Sequence, residues 1–106
     1  MILDSDTLIA YFDRTAPGHG STAGTLEFAA TFEQLVVSPF VVAELEGRVR
    51  ERFGMEGWLL VLEELGGGAW TIASLDAQHL DAVREGVAAG RTLAEASVAV
   101  LAEGAS

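Results

Sequence analysis

Three short apolar runs alternate with longer stretches of helical periodicity along this chain. Ile2–Leu3, the β-branched Leu35-Val36-Val37 and Trp70-Thr71-Ile72 each read as a strand. Ser5, Asp6 and Thr7 all offer N-caps for a helix running to about Phe12. Ala16 to Gly20, with Pro17, Gly18 and Gly20, reads as a loop. Thr22 to Phe32 carries apolar residues at 26, 29, 30 and 32 and predicts a second helix. Ser38-Pro39 is an N-cap followed by proline at the first helical position. Val42, Leu45, Val49 and Phe53 then follow at spacings of 3 and 4, and Gly54 closes that helix. Glu56 to Leu65 predicts a further helix with Trp58, Leu59, Leu62 and Leu65 on its apolar side, ended by Gly66-Gly67-Gly68. Leu75 to Ala89, capped by Ser74 or Asp76 and stopped by Gly90, and Leu93 to Glu103, opened by Thr92, complete the set. Strands alternating with helices predict an α/β fold with a parallel sheet and right-handed crossovers.

Composition narrows the class. At 106 residues the chain has room for a single core, and one domain over 1–106 is expected. Half of the residues are hydrophobic and the mean hydropathy is +0.34, which excludes disorder. With no cysteine there is no disulfide scaffold and no thiolate metal site. Strand-like sequence begins at Ile2 without a basic leader, and no apolar run approaches the ~20 residues of a membrane span, so a soluble, cytoplasmic protein is expected. The net charge is -10, and all six basic residues are Arg. Such a chain repels phosphates as a whole, so nucleic acid is within reach only through metal ions and a local Arg cluster. A basic protein partner is the other use of an acidic surface.

The acids then become the chemistry candidates. Asp4 ends the first strand, where open α/β folds place their sites, and no cation precedes Arg14 to neutralise it. A divalent cation is the obvious counter-charge. Asp6 reads as a helix cap that could reach a metal through water. Glu44 lies in the first two turns of the helix after the second strand, so it and Asp4 can converge at one edge. Its bland alternative is a surface ion pair with Arg48 at the i, i+4 spacing, an arrangement that Glu46 and Arg50 repeat. Glu95 completes a capping box with Thr92. The helix beyond it is apolar nearly all round, which also argues for a carboxylate near the interior or a cleft. Arg48, Arg50 and Arg52 form the basic cluster; intrahelical pairing competes with contact to a phosphate backbone, for which Arg48 and Arg52 share a face.

Other residues point to structure. His19 reads as a loop residue and His79 as a helix-surface residue, with no ligand spacing between them. Gly66 to Gly68 is not a phosphate loop, since no Lys-Ser/Thr follows. Trp58 and Trp70 read as core. Ser38 has no partner His in the pattern, so a serine nucleophile is unsupported.

Ile2-Leu-Asp4-Ser-Asp-Thr-Leu-Ile-Ala-Tyr-Phe-Asp13 resembles the opening strand and helix of PIN-domain proteins. Val36-Val-Ser-Pro-Phe-Val-Val-Ala-Glu44-Leu is similar to their second motif, and Thr92-Leu-Ala-Glu95-Ala looks like their third, usually Leu-Ala-Asp-Ala. The resemblance implies a three-layer α/β/α fold and a small toxin of the VapC type, a metal-dependent ribonuclease restrained by an antitoxin protein. It assigns Asp4, Glu44 and Glu95 to Mg2+ or Mn2+ and catalysis; on that reading the basic cluster, Arg48 and Arg52, steadies the RNA backbone. Glu95 stands where Asp is usual, one methylene longer, and Mg2+ is exacting about geometry. The family's final strand and its Thr-x-Asp acid are absent before Ser106, so the domain reads as C-terminally incomplete. Ile2–Asp4 should then be a sheet edge in need of a partner, and a homo-oligomer such as a dimer is expected. The second functional reading is a weak or inactive PIN remnant that binds a protein or itself. A third is an unrelated acidic α/β adaptor.

Overall fold

The computed structural model describes residues 1–104; residues 105–106 of the expected domain lie outside the described residues. The elements run β1 (Ile2–Leu3), α1 (Ser5–Phe12), α2 (His19–Ala30), β2 (Leu35–Val37), α3 (Pro39–Leu65), β3 (Trp70–Ile72), α4 (Ala77–Ala88) and α5 (Leu93–Gly104). All three strands lie where the apolar runs place them, and they pair in parallel in the order β1-β2-β3. Ile2 pairs with Val36, and Val36 with Thr71. The backbone N–H of Val36 donates to Met1 O at 2.8 Å and that of Ala73 to Val37 O at 2.9 Å, extending both ladders. β2 is central and β1 is an edge, as the short sheet predicts. The N-terminal amine secures that edge, donating to Gln34 O at 2.8 Å and pairing with Glu33 at 2.5 Å.

α1 packs against both α2 and α3, as right-handed crossovers advancing in one direction require. α4 and α5 follow β3 and bring the chain back to β1 and to α3. Leu3, Leu8, Val37, Val41, Leu45 and Val49 are almost completely buried between these elements. Each contributes about 1.5–3 kcal/mol relative to exposure. Trp58 and Trp70 are core residues as expected, and Trp70 meets Tyr11 edge-on with ring centroids 5.3 Å apart.

Several boundaries and faces differ from the periodic reading. α2 starts at His19, before the expected Thr22, and His19 is helical rather than in the loop. Its Nδ1 lies 2.8 Å from Ala10 O, so this nitrogen donates and ties α2 to α1. The helix stops at Ala30, where Thr31 Oγ1 donates to Phe28 O at 2.7 Å, and Phe32 falls beyond it. Phe28 and Phe32 lie beside each other on the outside, their rings tilted by 59°. Val41 replaces Val42 as the deeply buried residue opening α3, and Phe53 is exposed. After Gly54 the buried face is Trp58, Val61 and Leu65, whereas Leu59 and Leu62 are exposed.

The expected break at Gly54 is present inside α3, at φ 70 and ψ -170. That conformation is open to glycine alone at small cost. α4 is capped by Asp76, the second of the two expected candidates, with His79 returning a bond from the third helical position. His79 is therefore half of a cap as well as a surface residue. Gly86 lets α4 meet α5, since a Cβ there would stand 2.8 Å from the Ala96 Cβ.

Candidate functional site at the carboxyl edge of the sheet

Asp4 leaves the end of β1 with extended backbone, φ -96 and ψ 172, and caps α1 by accepting from Thr7 N at 2.8 Å. It is exposed. The next residue, Ser5, is buried and aims its hydroxyl across the fold, donating to Glu44 Oε1. Glu44 is thus held in the second turn of α3 beside the start of α1. Ser5, which the sequence reading offered only as a possible cap, is the residue that ties Glu44 to the position next to Asp4.

Arg48 does not pair with Glu44 one turn away. Its Nη1 reaches Asp6 Oδ1 at 2.7 Å. Asp6, expected as a helix cap, leaves that role to Asp4 and takes the guanidinium instead. Arg50 and Glu46 make the expected i, i+4 pair, at 3.7 Å. Arg52 crosses to Asp13, whose carboxylate is only 1% exposed. Asp13 also accepts from Thr15 Oγ1 at 2.6 Å and Thr15 N at 2.9 Å. The Thr15 hydroxyl, followed by the Thr15 backbone N–H and the Arg52 charge, holds the Asp13 carboxyl below the usual carboxylate range.

Glu95 occupies the first turn of α5, and both halves of the predicted capping box are made. Thr92 N donates to Glu95 Oε1 at 3.0 Å, and Glu95 N donates to Thr92 Oγ1 at 3.1 Å. The interior placement expected from its apolar helix does not occur, because Glu95 is exposed. Bonds from the Thr92 backbone and hydroxyl lower its pKa, with help from the Arg91 charge; the Asp6 charge opposes them. Glu95 therefore stands within electrostatic reach of Asp6 on α1. A buried pair of hydroxyls brings it there: Ser97 Oγ donates to Ala94 O at 2.7 Å and accepts from Ser38 Oγ, also at 2.7 Å. Ser38 accepts in turn from Phe40 N at 3.1 Å. This chain clamps the start of α5 to the start of α3. Its sequence signal is Ser97, a lone hydroxyl in an otherwise apolar helix.

Asp4, Asp6, Glu44 and Glu95 thus lie on elements that meet at one edge, and all are hard oxygen donors of the kind Mg2+ and Mn2+ prefer. The hydrogen bonds of Asp4, Glu44 and Glu95 each use one carboxylate oxygen. Among the described residues, no group of three or more His, Asp or Glu is gathered closely enough to hold a metal ion. The chemistry of the donor set fits a divalent cation, while the side chains are turned to partners within the protein.

Two hollows lie along α1. One, of about 460 Å³, lies beside Asp6, Arg48 and Arg52. The other, of about 540 Å³, is an aromatic groove between α1, α2 and the second half of α3, with Tyr11, Phe12 and Phe53 among its walls. Burial, assisted by Glu64 and Glu27, pushes the Tyr11 hydroxyl above its ordinary pKa.

This arrangement, a parallel sheet with acids at its carboxyl edge and helices crossing in this order, is the PIN-like α/β architecture expected from the sequence. The chain is 43% identical over 81 residues to Ribonuclease VapC26 of Mycobacterium tuberculosis, a match covering 76% of this chain and 58% of the relative. Over that stretch it is similar to a VapC-type PIN-domain protein. The crystal structure of VapC20 of Mycobacterium tuberculosis, a sarcin-ricin loop cleaving toxin, superposes with a TM-score of 0.80 at 12% identity, over 94% of this chain and 78% of that one. That likeness carries the fold. No family model matches the chain. The chain spans little more than half the length of the curated relative, 58%. No helix among the described residues is long and apolar enough to cross a membrane.

Proposed function

We propose that this chain is a metal-dependent endoribonuclease of a toxin–antitoxin pair, acting in the cytoplasm. The observation that carries the proposal is 43% identity to a ribonuclease over 81 residues, 76% of this chain. It favours a catalytic reading over a non-catalytic binding module. Asp4 and Glu44 would hold Mg2+ or Mn2+, with Glu95 as third ligand. Bound there, the cation would supply charge neutralisation and Lewis acidity at the phosphodiester. The chain's own part is to set the ligands: Ser5 orients Glu44, and the Ser38–Ser97 clamp sets the start of α5 beside them. The surface charge of -10 suits a basic antitoxin protein and makes the cation a requirement for RNA approach. Association between copies along the β1 edge belongs to the same proposal.

The test titrates Mg2+ and Mn2+ into the wild type and Asp4→Asn while thermal stability and RNA cleavage are read. A cation bound only by the folded site raises the midpoint by mass action. A metal-dependent rise in the wild type, lost in Asp4→Asn together with cleavage, is expected. A wild type without that rise, or cleavage surviving Asp4→Asn, overturns the proposal.

A further inference from the structure

The hollow beside the acidic edge has the chemistry of a nucleobase site rather than a phosphate site. Its apolar part is Ile9, Ala10, Ala16 and Pro17, contributed by α1 and the loop after it. Its polar part is Asp6, Arg48, Glu51 and Arg52. Those four side chains sum to no net charge, and both guanidinium groups are already paired, Arg48 with Asp6 and Arg52 with buried Asp13. A phosphate would find little uncompensated positive charge. A flat ring would find an apolar surface bordered by two planar guanidinium groups. The volume, about 460 Å³, exceeds that of a purine. Asp6 belongs to the acidic edge as well, so an occupant of this hollow lies next to the proposed metal ligands.

We propose that this hollow binds one guanine of the RNA substrate, with Glu51 as the specificity-determining residue. The inference rests on the ribonuclease reading above. Glu51 lines the hollow and makes no hydrogen bond or ion pair among the described residues, so its carboxylate is available as a double acceptor. Guanine alone among the four bases offers two adjacent donors, N1–H and N2–H, on its pairing edge. Its O6 and N7 acceptors suit the guanidinium donors of Arg48 or Arg52, the commonest match between Arg and a base. Adenine and cytosine each set one amino donor beside a ring acceptor, which a carboxylate repels. Uracil presents a single donor between two acceptors. The pairing of Arg52 with Asp13 and of Arg48 with Asp6 holds the guanidinium groups in place before a base arrives.

The experiment sequences the cut sites made by the full chain in a random-sequence RNA pool with Mg2+ or Mn2+, for wild type, Glu51→Gln and Glu51→Ala. The base frequency at each position around the cut is normalised to total cuts. Guanine enrichment at one position in the wild type, falling on the order of 10-fold in both variants, is expected. Cleavage by the wild type with no guanine enrichment, or with enrichment unchanged in the variants, overturns the guanine site and leaves the ribonuclease reading standing. In parallel, methyl resonances of Ile9, Ala10 and Ala16 are followed without metal as guanosine, adenosine, cytidine and uridine 5′-monophosphates are added. Shifts saturating at least several-fold earlier with the guanosine nucleotide, and lost in Glu51→Gln, support the site even if no RNA is cut. Equal shifts with all four, or none, overturn it.

Discussion

Ser5 and Asp13 are the residues whose buried polar bonds set the charged edge. Ser5 donates to Glu44 from a buried position, and a hydrogen bond to a charged acceptor is worth more than a neutral one. Ser5→Ala should lower stability by about 1 kcal/mol in urea unfolding, Glu44 being half-buried, and should slow RNA cleavage by releasing Glu44. Asp13 sets a pH dependence. Its proton is given up at lower pH in the folded chain than in the unfolded one, where Asp titrates near ~3.9. Stability from this group is complete above about pH 4 and is lost as the pH falls through the folded value. Urea midpoints from pH 5 downward should fall less steeply in Asp13→Asn than in the wild type. Parallel acid limbs would show that Asp13 contributes nothing there. Neither role was visible in the sequence: Ser5 appeared as one of three possible caps, and Asp13 only as the last residue of the opening motif.

At the scale of elements, local punctuation was the legible part. The β-branched run at Leu35–Val37, the Ser38-Pro39 start and the Thr92–Glu95 box all form as read. Caps and strands follow from a few neighbouring residues, so no distant contact is needed to foresee them. Gly54 belongs to this class. Gly54→Ala should cost about 1–3 kcal/mol in urea unfolding, because an L side chain at φ 70 is strained even though open space surrounds the position. The capping box gives a way to separate fold from chemistry. Glu95→Gln keeps an acceptor for Thr92 N and should leave the thermal midpoint nearly unchanged, while a third metal ligand loses its charge. A weakened Mn2+-dependent stabilisation with an unaltered metal-free midpoint is the expected pattern. An unaltered response to Mn2+ would leave Glu95 as a cap alone. Helix faces were less legible. A period of 3.6 is satisfied almost equally by Leu59–Leu62 and by Trp58–Val61, and the neighbours that decide between them come from distant sequence.

Over the whole molecule, charge is the dominant long-range quantity. With a formal net charge of -10, acids repel one another in the compact state, and salt should relieve that repulsion. Raising NaCl from about 20 mM to about 500 mM should raise the thermal midpoint, as the Debye length shrinks several-fold. Mg2+ at matched ionic strength should raise it further if Asp4 and Glu44 bind the ion. Equal midpoints at matched ionic strength would leave screening as the whole effect. By itself the sequence determined the α/β class, the strand positions, the starts of α3 and α5 and the acids at the strand ends, since these depend on local caps and on the period of apolar residues. Tertiary structure alone decided which cation meets which acid. Arg side chains reach across elements, so Arg48 finds Asp6 instead of Glu44, and Arg52 finds Asp13. Those choices depend on how α1 lies against α3, which no spacing within either helix records.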